Sequence, residues 1–132
     1  VVTPQPLASA TPEDQANVMH GARQALDGWI GAGADLFLGG HIHLPYCLLV
    51  GTTDARRTGV LLQAGTCTSH RTRDRVPNSY NIILLERSEG GRSMQVERRD
   101  FDAARGGFFV HTRHAAHSEG GAVATPAGWR FA

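Results

Sequence analysis

The run Leu36-Phe37-Leu38, closed by Gly39-Gly40 and followed by His41-Ile42-His43, constrains this chain more than any other stretch. Apolar residues in sequence without polar alternation describe a strand, Asp35 to Leu38, buried on both faces, as in a sheet lying between layers. Two glycines then stop the strand and two imidazoles follow one residue apart. A rigid element thus hands two metal-ligand side chains to the space beyond its end, and the glycines leave room there for an ion and its substrate.

What precedes the run supplies a helix. Thr11-Pro12-Glu13-Asp14 combines a capping hydroxyl, a proline at the first helical position and acids that complement the N-terminal dipole. From this start one helix is predicted, with Val18, Ala22, Ala25, Leu26, Trp29 and Ile30 on its apolar face and Gly31-Ala32-Gly33 as its stop. Val1-Val2-Thr3 reads as the tail of an earlier strand, so the first part is a strand, helix, strand unit. After Pro45 the pattern turns to short β segments: Tyr46 to Val50, Gly59 to Gln63, Asn81 to Glu86 and Met94 to Arg99. They predict an antiparallel meander, with Glu89-Gly90-Gly91 as a hairpin turn. From Ala115 onward Gly, Ala, Ser and Pro dominate. The expected division is therefore a domain over 1–114 and a flexible tail or linker over 115–132.

Composition narrows the function classes. The 132 residues hold 41% hydrophobic and 19% charged side chains, enough for one globular domain. A net charge of +1 is too small to argue for nucleic acid or an anionic membrane as the partner, since a clustered basic surface usually recognises these, and neither is expected. All the basic residues are arginine, a bias equally consistent with coding preference and with two-point recognition of phosphate. Cys47 and Cys67 sit among apolar or small residues and read as buried free thiols. No bilayer-length apolar run and no leader pattern is present, so a cytoplasmic chain is expected. The strand-like start without Met reads as that of a fragment, and a fragment exposing part of a former interior is expected to self-associate.

Gly40-His41-Ile42-His43 after a buried strand resembles the last signature block of the calcineurin-like metallophosphoesterases, whose pattern is Gly-His-x-His. Val1-Val2-Thr3 before a proline, the helix ending near Trp29, the strand at Ala34-Asp35-Leu36, Ala64-Gly65-Thr66 and Pro77-Asn78-Ser79-Tyr80-Asn81 extend the likeness to about Asp102. All are similar to the C-terminal half of bacterial members. The resemblance implies an α/β protein: the C-terminal half of a layered α/β/β/α sandwich, its mixed sheet continued by antiparallel strands after the Gly-His-x-His loop. It also implies two divalent ions, manganese, iron or zinc, with His41 and His43 each ligating a different one. The implied reaction is hydrolysis of a phosphodiester or phosphomonoester, in a small molecule or nucleotide, by a metal-activated water.

The family's Asp-x-His, Gly-Asp-x-x-Asp and Gly-Asn-His blocks are not in this chain, so the implied site is incomplete and these residues alone are expected to be inactive. A further departure is Pro4-Gln5-Pro6, where the family carries His-Pro or His-His-Pro. Neither proline nor a neutral glutamine carbonyl replaces imidazole on a transition metal. His20 reads as a surface or interface histidine, not as a substitute.

Downstream, the loop from Thr66 to Arg73 is rich in hydroxyls and arginine, and Thr66, Ser69, Arg71 and Arg73 are candidate substrate-binding residues. The plainer reading is a solvated turn with Asp74 pairing Arg71, Arg73 and Arg75. Nothing in the sequence positions His70. His111, His114 and His117 recur every third residue in a segment expected to be disordered, with adventitious metal binding at most. Asn78 reads as a turn cap and Tyr80 as a packing residue. Two rivals stand beside the enzyme. One is a noncatalytic binding or scaffold domain that has lost ligands. The other is a mononuclear metal-binding protein using His41, His43 and the tail histidines.

Overall fold

The computed structural model describes residues 1–73, 75–119 and 128–132. It is a mixed α/β structure with few helices and two sheets. The order is a 3-10 helix (Pro12–Asn17), α1 (Ala22–Gly31), β1 (Leu36–Gly39), β2 (Tyr46–Gly51), β3 (Thr58–Gln63), β4 (Ser79–Ser88), β5 (Gly91–Asp102), β6 (Gly107–Glu119) and β7 (Arg130–Phe131). No helix among the described residues is long and apolar enough to cross a membrane.

The predicted single helix from Thr11 is in fact two elements. Thr11 does not cap backbone N–H groups; its hydroxyl donates to the carboxylate of Asp14 at 2.9 Å, and that side chain turns inward to full burial. The chain then leaves helical geometry at Val18, the Met19 N–H donates to the Pro6 carbonyl, and Gly21 at φ 75° redirects it into α1. The predicted stop is present. Gly33, at φ 102°, lets its own N–H reach the Ile30 carbonyl and that of Ala34 reach the Trp29 carbonyl, closing the helix end.

β1 and β3 are parallel, Leu36 facing Val60 and Gly39 facing Gln63, and β2 runs antiparallel on the far side of β3. On the other edge Val1 to Thr3 lies parallel to β1, with Thr3 N–H on the Leu38 carbonyl and Leu38 N–H on that of Val1. Neighbouring positions of these strands enter different cores, as a strand's period of two requires. Phe37 and Leu61 pack with Leu7, Ala22, Leu26, Ile30 and Val50 in the cluster that holds α1. Val60 and Leu62 pack with Met94, Val96, Ala116 and Trp129 from the second sheet. Each fully buried aliphatic or aromatic side chain contributes about 2 kcal/mol.

The second sheet is an antiparallel meander, β4-β5-β6-β7. Its strands outrun the predicted segments: β4 and β5 pair from Ser79↔Asp100 to Ser88↔Gly91, so Glu89-Gly90 is the turn. The expected boundary at Ala115 falls inside β6, which pairs with β5 as far as Glu119. Trp129, also in the expected tail, is buried, and its carbonyl accepts the Thr58 hydroxyl at 2.6 Å. The part of that tail spanning 120–127, like Asp74, lies outside the described residues. The thiols depart from expectation too. Cys47 is half-buried, with burial pushing it up to about 11, while Cys67 is exposed.

Candidate metal centre

Parallel pairing places the carboxyl ends of β1 and β3 at one end of the sheet, where ligands bind in open α/β structures. Gly40 to His43 leaves β1 there. Val1 to Thr3 runs the same way beside it, so Pro4-Gln5-Pro6 emerges at this end as well.

His41 and His43 both hold left-handed backbone, φ 79° and 60°, with Ile42 buried between them. Such angles in residues with a Cβ are uncommon and cluster at functional sites. The Ile42 N–H donates back to the Gly40 carbonyl at 3.0 Å, closing the turn. His41 is exposed. His43 is half-buried, and its Nδ1 lies 2.5 Å from the Arg71 carbonyl oxygen. An Nδ1–H donor to that carbonyl leaves Nε2 as the ring's ligating atom, the arrangement seen behind metal-bound histidines.

The loop carrying Arg71 is built from its own hydroxyls. Ser69 N–H donates to Thr66 Oγ1 at 3.3 Å, Arg71 N–H to Ser69 Oγ at 3.0 Å, and Asn78 Nδ2 to the Ser69 carbonyl at 3.0 Å. Ser79 N–H reaches the Thr66 carbonyl at 2.8 Å. Arg71 is exposed. Arg73 is engaged elsewhere: its guanidinium bonds Asp14, which also accepts from Thr11 and Asn17. Chiefly through that Arg73 hydrogen bond, the Asp14 carboxyl is held below its ordinary value against the opposing effect of burial. The predicted Asp74 pairing lies outside the described residues, and for Arg73 the structure offers Asp14.

The sequence-predicted ligand pair and the predicted loop therefore meet, through His43 and Arg71. The other histidines stand apart. His20 and His70 are exposed, and the expected disorder over His111, His114 and His117 is replaced by strand β6. Within the regularly paired part of β6, spacing of three sends His114 and His117 to opposite faces, while His111 falls at the register irregularity opposite Arg98 and Arg99. His111 Nδ1 lies 3.5 Å from Asp100, and the His114 ring is 5.7 Å from that of Phe131.

Two residues of this region have roles that the sequence does not announce. Asp14 reads as a complement to a helix dipole, although an acid three residues after a threonine also fits a local side-chain bond. Gln63, a polar residue ending the apolar run Val60-Leu61-Leu62, is fully buried and donates from Nε2 to the Gly40 carbonyl.

In donor chemistry, two imidazoles, one with its ring oriented by a carbonyl, fit a divalent transition ion. Among the described residues no three His, Cys, Asp or Glu side chains group closely enough to hold one. His41 and His43 thus suit part of a coordination shell, completed by water or by donors these residues do not include. Compared with known proteins, the chain matches no family model, no curated protein and no solved structure.

Proposed function

We propose that this chain is the C-terminal part of a calcineurin-like metallophosphoesterase domain, a layered α/β/β/α sandwich in which His41 and His43 each ligate one of two divalent ions. The observation that carries the proposal is the hydrogen bond between His43 Nδ1 and the Arg71 carbonyl, which couples the Gly-His-x-His turn to the arginine and hydroxyl loop. The two cores on opposite faces of the first sheet support the layering. What the ions supply when bound is a water activated near neutral pH and neutralisation of charge on the phosphoryl oxygens.

The chain's own residues prepare that chemistry. The Arg71 carbonyl orients the His43 ring, and the exposed Arg71 guanidinium is available to a phosphate in two-point contact. Thr66 and Ser69 accept backbone N–H groups, and their O–H groups remain donors toward the same anion. Arg73 braces the loop through Asp14. The substrate class is a phosphodiester or phosphomonoester of a small molecule or nucleotide, and manganese, iron or zinc are the fitting ions.

The test is Mn2+-dependent hydrolysis of bis(p-nitrophenyl) phosphate by the full polypeptide carrying these residues. His41→Ala or His43→Ala is expected to lower turnover by about a hundredfold or more, with loss of bound metal. Unchanged turnover and metal content in both variants would overturn the assignment. Residues 1–132 alone are expected to show negligible turnover, and robust hydrolysis by them would refute the partial site. A second reading, the noncatalytic binding or scaffold domain, is favoured by Pro4-Gln5-Pro6, which brings no imidazole to the end of the sheet where it emerges. It predicts a folded full polypeptide that neither retains two ions nor hydrolyses the diester.

A further inference from the structure

Gln63 is the last residue of β3, opposite Gly39 on β1 and Tyr46 on β2, with no exposed surface. Its amide lies across Gly39. A Cβ there would collide with Oε1 and stand 3.2 Å from Cδ, so this glycine makes room for Gln63 and not for an ion. Beyond Gly39, Nε2 donates to the Gly40 carbonyl, and the next residue, Ala64, gives its N–H to the Gly39 carbonyl at 2.8 Å. The Gly40 carbonyl thus receives both the Gln63 amide and the Ile42 N–H, at the point where the chain enters two left-handed residues.

Three facts need one explanation. Oε1 of Gln63 is buried without a hydrogen-bond partner among the described residues, an unfavourable state that a leucine or methionine of similar volume would avoid. His41 and His43 occupy backbone that persists only where neighbours over-determine it. Ile42 between them is buried and fixes the turn's depth but not the direction of its first peptide. The Gln63 amide supplies that direction, from a strand that cannot move without disturbing both cores.

We infer that Gln63 is the positioning residue of the His41-Ile42-His43 turn: its Nε2–H bond to the Gly40 carbonyl sets the peptide from which both imidazoles are aimed at the ions. This rests on the reading of His41 and His43 as ligands, and it makes Gln63 a support for them without direct contact with metal.

The experiment uses the full polypeptide carrying these residues, with Zn2+ as probe, measured by competition against a chromogenic chelator, together with amide hydrogen exchange by NMR. Gln63→Met, which fills the space without an amide, is expected to weaken Zn2+ binding by about tenfold or more and to speed exchange at Ile42. Exchange at Val60 and Leu62 should stay as in the unsubstituted chain, which separates positioning from a general loss of stability. Unchanged Zn2+ affinity and unchanged Ile42 exchange in a folded Gln63→Met protein would overturn the inference. Gln63→Glu separates the alternatives and serves also if Gln63→Met does not fold: a carboxylate facing the Gly40 carbonyl weakens Zn2+ binding if the residue positions, whereas tighter binding would make it a ligand and refute the inference. If the unsubstituted chain binds Zn2+ no better than a His41→Ala/His43→Ala variant while Gln63→Met still speeds Ile42 exchange, the ligand reading fails and the support of the turn stands.

Discussion

A fully buried carboxylate needs a charge partner, and Asp14 finds one 59 positions away in sequence, in Arg73. Its folded-state value is lowered, above all by the Arg73 hydrogen bond, so the ionised form stabilises the fold. That contribution is complete above the ordinary value of 3.8 and is lost as pH falls through the lower folded-state value. Asp14→Asn keeps the shape and loses the charge. It is expected to cost about 2 kcal/mol in urea unfolding at neutral pH, with the gap to the unsubstituted protein closing below the ordinary value. A constant gap across that range would show that the charge is not what matters. Here the sequence was legible only in part. An acid beside Thr11 was visible, but its partner was not, because no local pattern announces a contact made by the return of a distant loop.

At the scale of elements, the parallel contact of β1 and β3 holds the histidine turn, and Gly59 is one of its close approaches. A Cβ there would stand 2.8 Å from Phe37 Cε2 and 3.1 Å from the Asp35 carbonyl oxygen. Backbone cannot yield as a side-chain tip does, so Gly59→Ala is expected to destabilise by about 2 kcal/mol, read as a lowered thermal midpoint. An unchanged midpoint would mean that the strands separate without penalty. The apolar runs made these strands visible in advance. The helix was half visible: its end was spelled by Gly33, whereas the break before Gly21 was hidden, because the helical spacing of Val18 and Ala22 continues across it.

For the whole molecule, the decisive joint is between sheets. Trp129 packs with Val60, Leu62 and Met94, its carbonyl takes the Thr58 hydroxyl, and Arg92 stands 5.4 Å above its ring. Trp129→Ala is therefore expected to lower stability by about 3 kcal/mol, with loss of protection spread over β3 and β5 in hydrogen exchange. Loss confined to residues 128–132 would show instead that the C-terminal segment is a separable appendage. Gly, Ala, Ser and Pro around it point to a tail, since composition averages over a segment, whereas one buried tryptophan outweighs many small neighbours.

Residue type and local spacing alone determined the first strand, the helix stop, the β segments after Pro45 and the paired imidazoles beyond Gly40, because each follows from periodicity or backbone freedom within a few positions. Tertiary structure decided what spacing cannot encode: that Arg71 meets His43, that Arg73 belongs to Asp14, that Gln63 lies beneath Gly39, and that three evenly spaced histidines lie on a strand. The first three contacts join residues far apart in the chain, brought together by strand pairing within the first sheet and by the return of the loop that follows β3.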